Sequence, residues 1–251
     1  MKVLVTGGRS EIGQAIARKR RARGDEVAVT AGTAATLDEC RKIYEGSGIL
    51  AHLFDLENPV AGSENLLAWL ASGVDGVVLN AAPATRSLKR LHEFTDAEVR
   101  TSVDGLVHGN VWLLRQVLDG MMRRKFGRLV MISSMAVFGS GRYPAYCLGK
   151  AGMEGLFMNL AIDYGEFNVT ANIMRPGLIA TKRTERFWKR GEYAHTIAAM
   201  IPMTRLGQPD EVAEAVEPLL AEKCYINGTA LNCAGGMPSV RLEALLAAKK
   251  S

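Results

Sequence analysis

Tyr146 and Lys150 are the two side chains of this chain best suited to chemistry. They stand four positions apart in Tyr146-Cys147-Leu148-Gly149-Lys150, and the pair Ser133-Ser134 ends twelve residues before Tyr146. On a helix, positions i and i+4 share one face. A phenol beside an ammonium is a way to move a proton near neutral pH. The positive charge favours phenolate and draws the Tyr pKa down from about 10. A serine hydroxyl nearby can hold a carbonyl or alcohol oxygen against that phenol. The pair alone is a weak signal, since many exposed helices carry a Tyr and a Lys at this spacing by chance. The elements around it must decide.

Those elements alternate. Short apolar runs are expected to be strands at 2–6, 26–30, 49–54, 76–79, 128–132, 169–174 and 230–232. Helical patterns fill the intervals, ending at Arg23 with Gly24 as a stop signal, then at 36–45, 64–71, 96–122, 145–164 and 209–220. Continuously apolar strands are buried on both faces, which parallel pairing with helical crossovers provides. Right-handed crossovers then give a doubly wound, Rossmann-like α/β sheet with helices on both faces. Ligands bind such sheets beyond the carboxyl ends of the strands, at the switch point. No repeat or low-complexity linker interrupts the chain, so residues 1–251 read as one domain. The tail at 237–251 has room for a short helix at 241–250.

Composition narrows the function classes. Hydrophobic residues make up 48% of the 251, with charge scattered among them, which suits a globular protein with a sizeable core. No apolar run reaches the roughly 18 residues of a membrane helix. The start, Met1-Lys2-Val3-Leu4-Val5-Thr6-Gly7-Gly8, enters a strand and a Gly-rich turn rather than a secretory signal. A cytoplasmic protein without membrane contact is expected. Cys40, Cys147, Cys224 and Cys233 show no C-x-x-C spacing and no His/Cys cluster, so no metal is expected. Cys147 adjoins Tyr146, but successive helix positions point in different directions, and it receives no catalytic role. The net charge is +5, and the densest basic run is Arg18, Lys19, Arg20, Arg21 and Arg23. A helix C-terminus favours cations. The run reads as a solvated helix end, and no nucleic-acid partner is expected.

The turn Thr6-Gly7-Gly8-Arg9-Ser10-Glu11-Ile12-Gly13 joins the first strand to the first helix. Glycines there let a pyrophosphate approach backbone N–H groups at a helix N-terminus. Further along come Phe54-Asp55-Leu56, Asn80-Ala81-Ala82, Met131-Ile132-Ser133-Ser134, Arg175-Pro176-Gly177-Leu178-Ile179-Ala180-Thr181, Met203–Ala213 and Asn232-Cys233-Ala234-Gly235-Gly236. Each is modest alone. In this order and spacing, with Tyr146 and Lys150, they resemble the short-chain dehydrogenase/reductase family over residues 1–236.

The resemblance implies a nicotinamide cofactor and carbonyl/alcohol chemistry. Thr6, Gly7, Arg9, Ser10, Ile12 and Gly13 fall in its T-G-x-x-x-G-x-G turn, Asp55 and Leu56 at its adenine contact, and Asn80 and Ala81 in its N-N-A-G stretch. Pro176, Gly177, Ile179 and Thr181 match the P-G-x-I-x-T that meets the nicotinamide end. Tyr146 is implied as general acid or base, Lys150 as the group that lowers its pKa and binds the nicotinamide ribose. Ser134 is implied by motif as the residue that orients the oxygen, with Ser133 the alternative by spacing, because the gap to Tyr146 is one residue short. The close Tyr–Lys spacing favours ketoreductase chemistry over the enoyl-reductase branch, whose gap is longer. Residues 182–200 correspond to the substrate flap, whose basic and aromatic side chains either favour a large or anionic substrate, such as an acyl thioester on a carrier, or belong to a plain amphipathic helix; the partner implied is a small-molecule or carrier-bound carbonyl. A homotetramer or homodimer is implied through the helices at 96–122 and 145–164, the latter carrying Ala151, Gly152 and Gly155.

Several positions depart from the pattern. Glu11 replaces a glycine of the turn, where its carboxylate either crowds the pyrophosphate or points to solvent and favours the helix start. Ala81 and Pro83 replace Asn and Gly. Leu106 falls where the family has an Asn that supports a water in the proton relay, and Asn110, one turn on, either compensates or is an exposed or interhelical Asn. The second strand ends in Thr30-Ala31-Gly32-Thr33, without the acid that binds the ribose of NAD and repels a 2′-phosphate. Arg9 can pair with that phosphate. NADP is therefore expected, with NAD as the alternative. Two other functions stay open: a nucleotide-binding regulatory or scaffold protein that has lost turnover, and a redox-assisted dehydratase or isomerase.

Overall fold

The computed structural model describes residues 1–83, 88–185 and 201–237. Seven strands form one sheet: β1 (Lys2–Val5), β2 (Glu26–Ala31), β3 (Leu50–Leu53), β4 (Gly76–Leu79), β5 (Gly127–Ile132), β6 (Val169–Pro176) and β7 (Ala230–Cys233). All pairings are parallel, in the order β3-β2-β1-β4-β5-β6-β7. The order reverses between β1 and β4, which opens a crevice at their carboxyl ends. The six helices among the described residues are α1 (Glu11–Ala22), α2 (Ala34–Ile43), α3 (Glu64–Ala71), α4 (Asp96–Arg124), α5 (Pro144–Asp163) and α6 (Pro209–Val216).

The strand pleat divides the core. Leu4, Val77, Leu129 and Ala171 point to one face, where Leu66, Leu113, Met121, Met153 and Phe157 of α3, α4 and α5 cover them. Val3, Val5, Val78 and Val130 point to the other, under Ile16 of α1, Cys40 of α2 and Val212 and Val216 of α6. Each fully buried Leu, Val or Phe contributes about 1.5–3 kcal/mol of transfer free energy. A sheet apolar on both faces demands these two helical layers, so the doubly wound architecture follows from the strand composition.

Local chemistry sets the element ends. Thr33 starts α2 with a reciprocal bond to Thr36, so the helix begins two residues earlier than its periodicity suggests. Pro144 takes the first position of α5, where its missing N–H costs nothing. The helix expected at 209–220 breaks in two. Pro218 removes a backbone donor, and Glu217–Leu220 closes as a 3-10 turn. The basic run at 18–23 is not wholly solvated. Arg20 is 3% exposed, pairs with Asp25 at 2.6 Å, and reaches Glu217 at 3.3 Å. Most of the flap at 182–200 and all but Met237 of the tail lie outside the described residues.

Candidate active site

The switch point is tied together by Thr6. Its buried Oγ1 accepts the N–H groups of Asn80 and Ala81, both at 2.9 Å, and so joins the ends of β1 and β4. The Asn80 carboxamide donates to Thr6 O at 2.9 Å, Gly7 O at 3.2 Å and Ser10 Oγ at 2.9 Å. Thr30 steadies the turn from β2, taking Gly7 N–H on Oγ1 at 3.2 Å and Gly8 N–H on its carbonyl at 2.9 Å. Ser10 caps α1 by accepting Gly13 N–H at 3.1 Å. Asn80 and Ser10 therefore buttress the turn from behind.

The glycines are there for space. Gly7 has φ +72°, and a Cβ on it would lie 3.0 Å from Ala81 Cα. A Cβ on Gly13 would lie 2.5 Å from Gly7 O. Among the described residues, the N–H groups of Glu11 and Ile12 in the first turn of α1 find no acceptor. Free donors at a helix start, beside a backbone that only glycine can follow, make a cradle for a pyrophosphate. The residues present fit a dinucleotide.

Glu11 sits in the first turn of α1, where an acid favours the helix start, and it also has a partner. Its Oε1 accepts the N–H of Lys182 at 2.8 Å, so the carboxylate bridges to the segment that follows β6. Arg9 leaves the turn towards α2 and pairs with Glu39 at 3.1 Å, both side chains being about half exposed. Asp55 accepts Glu57 N–H at 3.0 Å, and the backbone of Leu56 lies so close to α4 that a Cβ on Gly109 would be 2.3 Å from Leu56 O.

The far side of the cleft is the end of β6. Gly177 N–H donates to Cys233 O at 2.9 Å, and a Cβ on Gly177 would meet Ala234 at 2.9 Å. Ile179 is buried and bridges to Gly207. Thr181 is buried, and its N–H donates to Thr184 Oγ1 at 3.0 Å.

The end of β5 is where α5 reaches the strand that the two serines follow. Lys150 is 4% exposed, and its Nζ donates to Ile132 O at 2.7 Å. That bond fixes α5 against the strand end just before the serines. Tyr146 lies one turn earlier on the same face, half-buried, with its ring edge-on to Tyr143 at 6.3 Å between centroids. The two serines part company here. Ser133 is buried and donates its Oγ proton to Glu154 Oε1 at 2.5 Å. Ser134 is half-buried and opens the 3-10 turn Met135–Phe138. Its Oγ accepts Ala136 N–H at 3.1 Å, which orients the oxygen and leaves its O–H to donate elsewhere.

Leu106 is 3% exposed and packs on the glycine next to Lys150: a Cβ on Gly149 would lie 2.8 Å from Leu106 Cδ1. Asn110 is not exposed: it is buried, its Nδ2 donates to Leu106 O at 2.9 Å within its own helix, and its Oδ1 has no partner among the described residues. Burial pushes the Cys147 thiol up, and its Sγ meets Ala136 O at 3.0 Å, so it is not an activated nucleophile.

Two residues at the site were not singled out in the sequence. Glu154 of α5 accepts from Ser133 and from Arg175 of β6, whose Nε reaches Oε1 at 2.9 Å and whose Nη2 reaches Oε2 at 2.5 Å. The carboxylate holds the Arg175 pKa above its ordinary value. A lone acid in an otherwise apolar stretch of α5, and an Arg inside a buried strand, were the available signals.

A family model described as "Enoyl-(Acyl carrier protein) reductase" matches residues 7–238. The 3-oxoacyl-[acyl-carrier-protein] reductase MabA of Mycobacterium tuberculosis (strain ATCC 25618 / H37Rv) is 32% identical over 243 residues, 94% of this chain and 92% of its own length. The 3-oxoacyl-[acyl-carrier-protein] reductase FabG of Escherichia coli (strain K12) is 30% identical over 241 residues, 93% of this chain and 96% of its own. Among solved structures, a short-chain type dehydrogenase/reductase from Mycobacterium ulcerans superposes with a TM-score of 0.88 at 26% identity, covering 98% of this chain and 93% of that one.

Proposed function

This chain belongs to the short-chain dehydrogenase/reductase family, a family of oxidoreductases, and from that premise we propose that it is an NADP-dependent ketoreductase acting on a small-molecule or acyl-carrier-bound carbonyl. The observation that supports the reading is the pairing of Lys150 with Ile132 O, which ties the helix that carries Tyr146 to the strand end that Ser134 follows.

The turn from Thr6 to Gly13, with Asp55, Leu56, Asn80 and Ala81, would hold the adenosine and pyrophosphate, and Pro176, Gly177, Ile179 and Thr181 the nicotinamide end. When bound, the dinucleotide supplies the hydride. Reduction builds negative charge on the carbonyl oxygen, which needs a donor in reach. Tyr146 delivers the proton to that oxygen. Ser134 donates its O–H to the same oxygen and orients it. Lys150 keeps a positive charge one turn away. The name of the family model and the names of the curated relatives point to different acyl substrates. The close Tyr146–Lys150 spacing favours the carbonyl.

One observation favours a second reading, that of a dinucleotide-binding protein with little turnover. Leu106, an apolar side chain, packs on Gly149 beside Lys150, where the resemblance implies an Asn that supports a relay water. Absorbance of reduced nicotinamide, followed over a panel of 3-oxoacyl thioesters and simple ketones, tests the two together. NADPH oxidation with a ketone supports the reductase. Tight NADPH binding with no oxidation by any member supports the alternative.

We also propose a homo-oligomer through α5. Its outer face carries Leu148 and Ile162, exposed at 58% and 79%, around Ala151, Gly152 and Gly155. Added Cβ atoms at Gly152 and Gly155 meet nothing within 4 Å, so a second backbone can approach closely there. A monomer at all concentrations by light scattering would overturn this.

A further inference from the structure

We propose that Glu154 and Arg175 form a clamp that positions Ser134, so that both are positioning residues for carbonyl reduction. Tyr146, Lys150 and Glu154 recur every fourth residue along α5, on one face. Two successive turns of the helix hold two successive residues of the β5 end. Lys150 takes the carbonyl of Ile132, and Glu154 takes the hydroxyl of Ser133. Ser133 is held from the other side as well, by its N–H on Met174 O at 2.7 Å. Arg175, the next residue of β6, closes on Glu154 with two bonds and lays its guanidinium over the Phe138 ring, 4.7 Å from the centroid.

Ser134 bonds to neither member of the pair. It is bracketed by them. The residue before it hangs from Glu154, and the last residue of the 3-10 turn that it opens stacks on Arg175. Phe138 is 52% exposed, so burial does little to place its ring, and the guanidinium is its anchor. Glu154 is 7% exposed. A buried ion pair is weak evidence for stability, because desolvation offsets most of the attraction and an apolar pair often serves as well. What this pair secures is where the turn sits, and with it the direction of the Ser134 hydroxyl.

The rate part of the inference rests on the reductase reading, and the geometric part does not. The test is the double variant Glu154→Gln with Arg175→Met, which removes both charges and keeps much of the volume. Its kcat is expected to fall about ten- to a hundredfold, as small displacements of a reacting group do, with dinucleotide affinity unchanged. Its crystal structure should show the Ser134–Tyr146 oxygen separation altered by about 1 Å, the displacement that carries such a cost. The single variant Arg175→Lys, which keeps a cation beside Glu154, should recover part of kcat. A merely structural pair would lower the unfolding midpoint and leave kcat at the wild-type value. That result, or an unmoved Ser134, overturns the clamp. If wild type reduces no carbonyl, the reductase reading falls, and the crystallographic comparison alone decides the clamp. Should the double variant not fold, Ser133→Ala and Phe138→Leu cut it at its two ends. Wild-type Ser134 geometry in both would overturn it.

Discussion

The two edges of the same sheet use their polar groups in opposite ways. At the amino edge the buried cations are committed to the protein. Arg20 is enclosed between Asp25 and Glu217, and Arg23 reaches Glu217 at 2.8 Å. Arg128, fully buried at the start of β5, donates to the carbonyls of Gly127, Asn168, Ala221 and Glu222 at 2.7–2.9 Å. At the carboxyl edge the polar groups are held by one function and offer another. Ser134 accepts from its own turn and keeps a proton to donate, and the N–H groups of Glu11 and Ile12 find no acceptor among the described residues. Below, the buried cations are used within the protein; above, the Ser134 hydroxyl keeps a proton to offer. Substitutions at the two edges should therefore divide cleanly between rate and stability.

The sharpest break of that division is Tyr146→Phe. It deletes one hydroxyl at the carboxyl edge. Turnover is expected to fall about 10²–10⁴-fold, the usual contribution of a general acid, with unfolding midpoint and dinucleotide affinity unchanged. Retention of half the wild-type rate would remove Tyr146 from the chemistry. The matching change below is Arg20→Met. It takes the shared cation from the buried Asp25 and Glu217, which keep the Met1 ammonium and Arg23 as partners, so the loss should fall below about 3–5 kcal/mol, the cost of a buried charge left wholly unpaired. Denaturant unfolding should show that loss, while kcat per folded molecule stays at the wild-type value. A kcat that falls with stability would mean the two edges are not separable. Lys150→Ala straddles the divide, because it removes a charge from the cleft and leaves Ile132 O unpaired. Rate and NADPH affinity should both fall, about tenfold or more in rate. A rate loss at unchanged affinity would confine Lys150 to the proton transfer.

The sequence shows the division unevenly. Apolar strands announce a sheet buried on both faces, and the alternation with helices leaves little choice of topology. The Gly-rich turn, the serine pair and Tyr146–Lys150 are visible because their chemistry is local. What escapes the sequence is contact across distance. Glu11 meets the backbone of Lys182 from 171 positions away, a partner its place in the turn does not announce. Arg20 looks like one of five solvated cations until Asp25 and Glu217 close over it. Ser133 and Ser134 are alike as letters, and only the partner carboxylate on α5 separates a buried tie from a half-open hydroxyl. Asn110 reads as a compensating group or as an exposed or interhelical one, and only its burial and the bond of its Nδ2 to its own helix show that it is not exposed.

The smallest expected effect lies at the rim between the edges, and it concerns the choice of dinucleotide. No acid stands at the end of β2, so nothing there repels a 2′-phosphate, and Arg9 is the nearest cation of the turn. In this structure Arg9 is shared with Glu39 at 3.1 Å. Exposed ion pairs are worth little, about 0–1 kcal/mol, so a phosphate competes well for the guanidinium. A charge-assisted contact to phosphate contributes about 1.5–3 kcal/mol, which sets a preference for NADPH over NADH of roughly tenfold or more. Arg9→Ala should narrow that ratio. Glu39→Gln should widen it, because it frees the same guanidinium without touching the cleft. The measurement is a titration of both dinucleotides against wild type and the two variants. A ratio that Arg9→Ala leaves unchanged would take Arg9 out of the cofactor site. A ratio that Glu39→Gln narrows would show that Glu39 aims Arg9 at the phosphate rather than withholding it.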